Sequence, residues 1–496
     1  MGFASFQTRS KASKNYIVLK EKRAARIKNQ LIVNTTCGTL IGLEFTTGNG
    51  RIVAAFHGIP FAKPPLGELR FQDPQPSEAW PGVREAYNFG SVCVQIPIIY
   101  PPVSTTKMGN EDCLYLSVYS PNLKPTKLLP VVVYIHGGEL MSGSGEIDKS
   151  PEFLLNYDIV VVMPNFRIGV LGFLTLEDDI MPGNMALKDQ VMALVWLQNN
   201  IASFGGDPNQ VTLFGDTAGA GFVHYHMYSP MSRGTRLVFQ VDPIIVFTAI
   251  FDKNASNPFL PFNPHNAEPA PVPWSVGLTS LSGLLRSAAF VPNPTSLVQY
   301  DKCFLQAVPR TLLFDTTASN PEQVARQLRE YYFDDQPITM DLFQNLTDMF
   351  TDGYFLWPAI ESLRKHEGPH YLYYFDYLGE HSFQEILAGR RVLKGASGLD
   401  EPIYIWHIKN PIEIPPPTTS GDLNVQNLCT TLVYNFATFG VPTPPGSPLI
   451  WPQWDEEQQN YFYFGNNGPS IKRMLLPERV QFWSQLNFRD KVDGST

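Results

Sequence analysis

Residues 211–220 read VTLFGDTAGA. An apolar, β-branched run feeds directly into Gly215-Asp216-Thr217-Ala218-Gly219, and a helix-forming stretch follows. Strand, sharp turn and helix in that order are the frame of a nucleophile elbow, Gly-x-Ser-x-Gly, here with threonine in the serine position. Glycine is required on both sides because the turn is tight and neighbouring backbone comes close. The stretch predicts a strand over 211–214 and puts Thr217 at the tip of the turn.

Working outward, 129–135 (LPVVVYI) and 159–163 (IVVVM) are short, continuous apolar runs. Such runs suit strands buried on both faces, as in a parallel sheet. Residues 186–203 predict a helix between the second run and the elbow strand. Leu187, Val191, Leu194 and Val195 form its apolar stripe, and the following FGGDP, 204–208, stops it. Strand, helix and parallel strand make a βαβ unit. Upstream, YIHGG at 134–138 follows a buried strand and leads into Glu139. In an α/β-hydrolase a loop of this type aims backbone N–H groups at a developing oxyanion.

Composition agrees with a packed enzyme-like body. Hydrophobic residues make up 44% and charged residues 17%, which excludes a wholly disordered chain. The 43 prolines in 496 residues are about 9%, against a typical ~5%, so many loops are expected. Two are marked by proline density, 266–273 (NAEPAPVP) and 410–421 (NPIEIPPPTTSG). Residues 1–30 carry eight basic side chains and one acidic, +7, leaving −16 on the rest of a chain whose total is −9. An acidic body disfavours nucleic acid as a partner. No run of about 18 apolar residues is present, so no membrane span is expected. Neither metal-ligand spacing nor a phosphate-binding glycine loop appears, and no cofactor is expected.

The ordered set of motifs resembles the type-B carboxylesterases, the cholinesterase-like branch of the α/β-hydrolases. The matching stretches are GIPFAKPP (58–65), ELRF (68–71), EDCLYLSVY (111–119), NFRIGVLGFL (165–174), PGN (182–184) and NIASFGGDP (200–208). Residues 435–445 and 478–486 fit as well. The resemblance implies one α/β-hydrolase domain over 33–490: a mostly parallel central sheet with helices on both faces. Residues 1–32 are read as a basic tail. It also implies a disulfide between Cys93 and Cys113, two of five cysteines that by count alone read as free and buried. Asn34, Asn254 and Asn345 head glycosylation sequons. The family implies the secretory pathway or an extracellular setting, although no apolar segment of signal length follows the basic residues at the start.

The family's catalytic residues are Ser, Glu and His, in that chain order. The serine falls on Thr217. The acid position, in GLTSLSG (277–283), falls on Ser282. The histidine position, in GASGLDE (395–401), falls on Gly398. In the oxyanion loop the last glycine falls on Glu139, leaving the N–H groups of Gly138 and Ala218. A hydroxyl is a poor nucleophile without a base to take its proton, and Gly398 offers none. Glu139 brings like charge towards a forming oxyanion. Losing a triad member costs on the order of 10⁴ to 10⁶ in turnover.

The expectation is a carboxylesterase-family chain without ester hydrolase activity, acting by binding a protein partner or a small ester-like ligand. The alternative is residual or rerouted hydrolysis through Thr217, which needs an unidentified base; a decayed chain without a stable fold is a third reading. His224 and His226 are expected to pack structurally, and Asp400 and Glu401 to make local hydrogen bonds. Only 65 residues separate Thr217 from Ser282. One sheet strand and part of the gorge wall are therefore expected to be missing, with 243–250 (PIIVFTAI) as a substitute strand.

Overall fold

Continuous runs of β-branched and aromatic residues build the central sheet. The computed structural model describes residues 31–96, 107–145, 147–232, 250–409 and 412–487, and 236–241 by backbone. Among these, eleven strands form one sheet. In chain order they are β1 (Leu43–Thr46), β2 (Ile52–Pro60), β3 (Tyr115–Ser120), β4 (Leu129–Ile135), β5 (Val160–Pro164), β6 (Gly206–Asp216), β7 (Arg236–Val241), β8 (Trp274–Thr279), β9 (His370–Phe375), β10 (Asn460–Phe464) and β11 (Ser470–Arg473). Their order across the sheet is β11-β10-β9-β8-β7-β6-β4-β5-β3-β2-β1. From β10 to β5 all neighbours are parallel, and antiparallel strands close both ends.

The period of two in β4 assigns its faces. Val131, Val133 and Ile135 join the core that holds Leu187, Leu194 and Leu197 of α1 (Met185–Asn200) and Phe222 and Val223 of α2 (Ala218–Tyr228). Val132 and Tyr134 join the opposite core, with Leu432, Val433 and Phe436 of a long helix, Ser420–Phe439. Helices thus cover both faces, as an α/β-hydrolase fold requires. Each branched side chain buried in this way stabilises by about 1.5–3 kcal/mol. The helix expected over 186–203 is α1 followed by a 3₁₀ turn, Ile201–Phe204, which ends at Gly205 with φ +83°.

The expectation of a missing strand is overturned. β7 occupies the interior place beside the elbow strand, pairing Thr212 with Arg236 and Asp216 with Val241, and Phe239 with Ser275 on its other side. An interior strand cannot be omitted without leaving N–H and C=O groups unpaired on both neighbours. The chain meets this demand directly after α2. The substitute segment at 243–250 lies outside the described residues except for Ile250, and its leading proline has no N–H for a ladder. Ordered pairing begins at Ile32, in a strand Ile32–Thr35 that pairs with Gly38–Ile41; residues 1–30 of the expected tail lie outside the described residues. No helix among the described residues is long and apolar enough to cross a membrane.

Candidate active site

The elbow is present in its full geometry. Thr217 follows β6 and caps α2 with φ 49° and ψ −124°, a backbone conformation that β-branched residues rarely adopt. A Cβ on Gly215 would stand 2.4 Å from the Gly219 carbonyl, and one on Gly219 would stand 2.2 Å from Ile135 O. Both glycines are therefore demanded by backbone approach. Across the cleft, a Cβ on Gly137 would stand 1.9 Å from Thr217 Oγ1. The threonine hydroxyl is packed onto the oxyanion loop, with no hydrogen-bond partner for it among the described residues.

The oxyanion loop turns through three consecutive positive φ values, 109° at Gly138, 54° at Glu139 and 61° at Leu140. Gly138 O accepts from Met141 N and Ser142 N at 3.0 and 2.9 Å, which fixes the loop. Ala218, as the first residue of α2, has an N–H without an intrahelical acceptor. The donors expected from sequence are the N–H groups of Gly138, in this loop, and of Ala218. Glu139 does bring a carboxylate here, but it is paired. Arg286 of α3 (Leu284–Ser287) approaches it at 3.7 Å and also lies 5.5 Å from the Tyr354 ring.

The fold brings together Ser282 and Gly398, the residues on which the family resemblance places the acid and the base. Leu281 N donates to Ala396 O at 2.8 Å, and Ala396 N donates to Ser280 Oγ at 2.8 Å, so the two loops are tied. Ser282 is fully buried. Its Oγ donates to Thr279 O at 3.0 Å and accepts from Thr279 N at 3.1 Å, closing a local turn. At Gly398 a Cβ would stand 2.7 Å from Leu285 Cδ1 and 3.3 Å from Ser282 O. Leu285 thus packs against the face of Gly398 on which a side chain would stand.

Beside Thr217 lies a charged cluster that sequence reasoning missed. Asp216 is buried, and Tyr134 Oη donates to both its carboxylate oxygens, at 3.3 and 3.4 Å. Lys149 Nζ pairs with the same carboxylate, with its side chain only 12% exposed. The Lys149 ammonium also sits 5.1 Å from the centre of the Tyr134 ring. Burial pushes this ammonium down, and the carboxylates of Asp148 and Glu401 pull it back up. Lys149 belongs to no motif that the sequence offers.

No histidine hydrogen-bonds Thr217 among the described residues. His226 bonds Ser232 Oγ at 2.6 Å and Gln190 Oε1 at 2.9 Å, and His224 stacks on Trp274. Both pack structurally, as expected. His136 stacks on Phe166 at 4.0 Å, and His407 bonds Glu152 at 3.0 Å. Asp400 accepts from Ser382 Oγ, Phe383 N and Ser397, and Glu401 accepts from Tyr373 Oη at 2.8 Å, again local roles.

Cys93 and Cys113 are bridged, while Cys37, Cys303 and Cys429 are free. Asn34 and Asn254 are exposed. Asn345 lies within helix Phe343–Thr351, its Nδ2 donating to Tyr332 O at 3.0 Å, with Thr347 of its sequon buried.

Comparison with known proteins agrees with this architecture. The profile of the carboxylesterase family matches residues 29–241 and 235–483. A carboxylic ester hydrolase of Bombus ignitus is 30% identical, covering 93% of this chain and 95% of its own length. Venom carboxylesterase-6 of Apis mellifera is 31% identical, with 92% and 94% covered, and a juvenile hormone esterase of Tribolium castaneum is 30% identical, with 92% and 93% covered. Among solved structures, juvenile hormone esterase from Manduca sexta, with OTFP covalently attached, superposes with a TM-score of 0.78 at 23% identity, covering 92% of this chain and 99% of that one.

Proposed function

This chain belongs to the carboxylesterase family, and, reading Ser282 and Gly398 as its acid and base positions, we propose that it holds a small ester-like ligand without hydrolysing it. One observation supports the reading: Ser282 and Gly398 meet in the structure, and Leu285 packs against Gly398. The remaining parts suit binding. The N–H groups of Gly138 and Ala218 suit a carbonyl oxygen, and the Thr217 hydroxyl offers a further donor. Turnover needs more: a base to take the hydroxyl proton and an acid to orient that base. The Cys93–Cys113 bridge supports an oxidising, extracellular setting, as does the likeness to a venom carboxylesterase.

The test is mass spectrometry of the folded chain after exposure to a fluorophosphonate, with Thr217→Ala in parallel and an activated ester as substrate. The expected result is no adduct on Thr217 and no hydrolysis that Thr217→Ala removes. A stoichiometric adduct on Thr217 would overturn the proposal and establish the alternative, hydrolysis through Thr217.

A further inference from the structure

At the base of the loop closed by Cys93 and Cys113 lies a small cavity, walled by both cysteines together with Arg70, Glu111, Arg167 and Leu171. It opens to solvent on one side and leaves about 10 Å³ free to the centre of a water-sized body. That is room for one small occupant, not for an ester or a peptide.

Arg167 carries the argument. Its side chain is 3% exposed. Nε and Nη2 donate to the Asp189 carboxylate at 2.8 and 2.7 Å, a two-pronged pairing. Nη1 is buried and has no partner among the described residues. A guanidinium keeps its charge at any accessible pH and has five N–H donors. The two on Nη1 are therefore left unanswered, and an unanswered buried donor on a charged group is costly. The wall offers a single carboxylate, Glu111, and Arg70 already holds it through Nε and Nη2 at 2.5 and 2.8 Å. Asp189, which answers the other side of Arg167, is fully buried and is not part of the wall. Two guanidinium groups and one carboxylate thus surround a space of roughly one atom.

We propose that this cavity is a site for a small monoatomic anion of the chloride type, with Arg167 Nη1 as its buried donor. The ion ties together three segments: the one that carries Arg70, the base of the bridged loop, and the stretch from Arg167 to Leu171. Within that stretch Gly169 N donates to Leu140 O at 2.6 Å, so the same wall braces the oxyanion loop. The site does not involve Thr217, and its existence is independent of the ligand-holding reading.

The test compares the melting temperature of the full chain in sodium chloride and in sodium isethionate at equal ionic strength, since isethionate is too large for the space. Chloride is expected to raise it by about 1–2 °C. Glu111→Gln removes the one carboxylate of the wall and is expected to lower the half-saturating chloride concentration by about threefold. Leu171→Trp fills the space without touching either ion pair and is expected to abolish the shift. Arg167→Lys also removes Nη1, but it disturbs the pairing with Asp189 and can fail to fold; the two other variants carry the test for that reason. In crystals soaked in sodium bromide, an anomalous peak is expected within hydrogen-bonding distance of Arg167 Nη1.

Equal melting temperatures in the two salts overturn the proposal. So does a chloride shift that Glu111→Gln and Leu171→Trp leave unchanged in folded chains. Bromide peaks only elsewhere, with water against Nη1, overturn it as well and assign the place to an ordered water.

Discussion

Leu285 and Gly398 are complementary in shape: the leucine Cδ1 stands 2.7 Å from where a Cβ on the glycine would be. A side chain at position 398 would therefore have to displace Leu285. Gly398→His alone is expected to overpack the site and destabilise the chain by about 1–3 kcal/mol. Urea unfolding measures this, and adding Leu285→Ala should recover most of the loss. If Gly398→His is neutral by itself, the packing account fails. Only the combination Thr217→Ser, Ser282→Glu, Gly398→His and Leu285→Ala is expected to gain esterase turnover, on the order of 10³-fold over the wild type, since triad members act as a unit.

Thr217 carries backbone strain that a glycine would not. Thr217→Gly is expected to stabilise the chain by about 1 kcal/mol through relief of the positive φ. Gly137→Ala should do the reverse, because its Cβ would meet Thr217 Oγ1 at 1.9 Å and Asp216 O at 2.7 Å. The double variant should recover only the part due to the hydroxyl. A double-mutant cycle with no coupling between positions 137 and 217 would refute this contact.

The Cys93–Cys113 bridge closes a loop with a sequence separation of 20. Replacing both cysteines by serine is expected to cost about 2–5 kcal/mol, read from denaturant unfolding under non-reducing conditions. The same loss should follow from reductant in the wild type, and a wild type whose stability ignores reductant would count against the bridge.

Acid should weaken this protein before it changes any surface pair. Burial pushes His57, His136, His224 and His366 down to about 4 and His226 to about 3. Their folded values lie below the unfolded 6.5, so the stability they confer is complete above pH 6.5 and is lost as pH falls towards 4. Each tenfold difference in proton affinity is worth about 1.4 kcal/mol. Burial raises Asp148 and Asp352 to about 6 and also raises Asp348 and Asp400, which acts in the opposite direction; His370 is lowered as well, so six histidines stand against four carboxylates. The melting temperature is expected to be lower at pH 5 than at pH 7.5, and His226→Gln should flatten that slope. A melting temperature that rises on acidification would contradict the assignment.

Much of this architecture was readable from local pattern. The runs at 129–135 and 159–163 lie within a residue of the observed strands, because continuous β-branched stretches have few other ways to be buried. The elbow was readable for a related reason: its glycines answer backbone approaches set by neighbouring atoms. The strand Arg236–Val241 was not. Its place is decided by the unpaired edges of its neighbours, Gly206–Asp216 and Trp274–Thr279, which no local pattern records.

What the sequence alone determined is the scaffold and the residues at its motifs: an α/β-hydrolase elbow with threonine at its tip, and Ser282 and Gly398 at the positions read as those of the acid and the base. Those are properties of residue identity at a motif position. Only the tertiary structure decided that Leu285 packs against Gly398, that Arg286 answers Glu139, and that Lys149 pairs with Asp216 beside Thr217. Each of those pairs is separated along the chain by tens of residues or more. Steric exclusion and charge compensation act through distance in space, and the fold is what sets that distance.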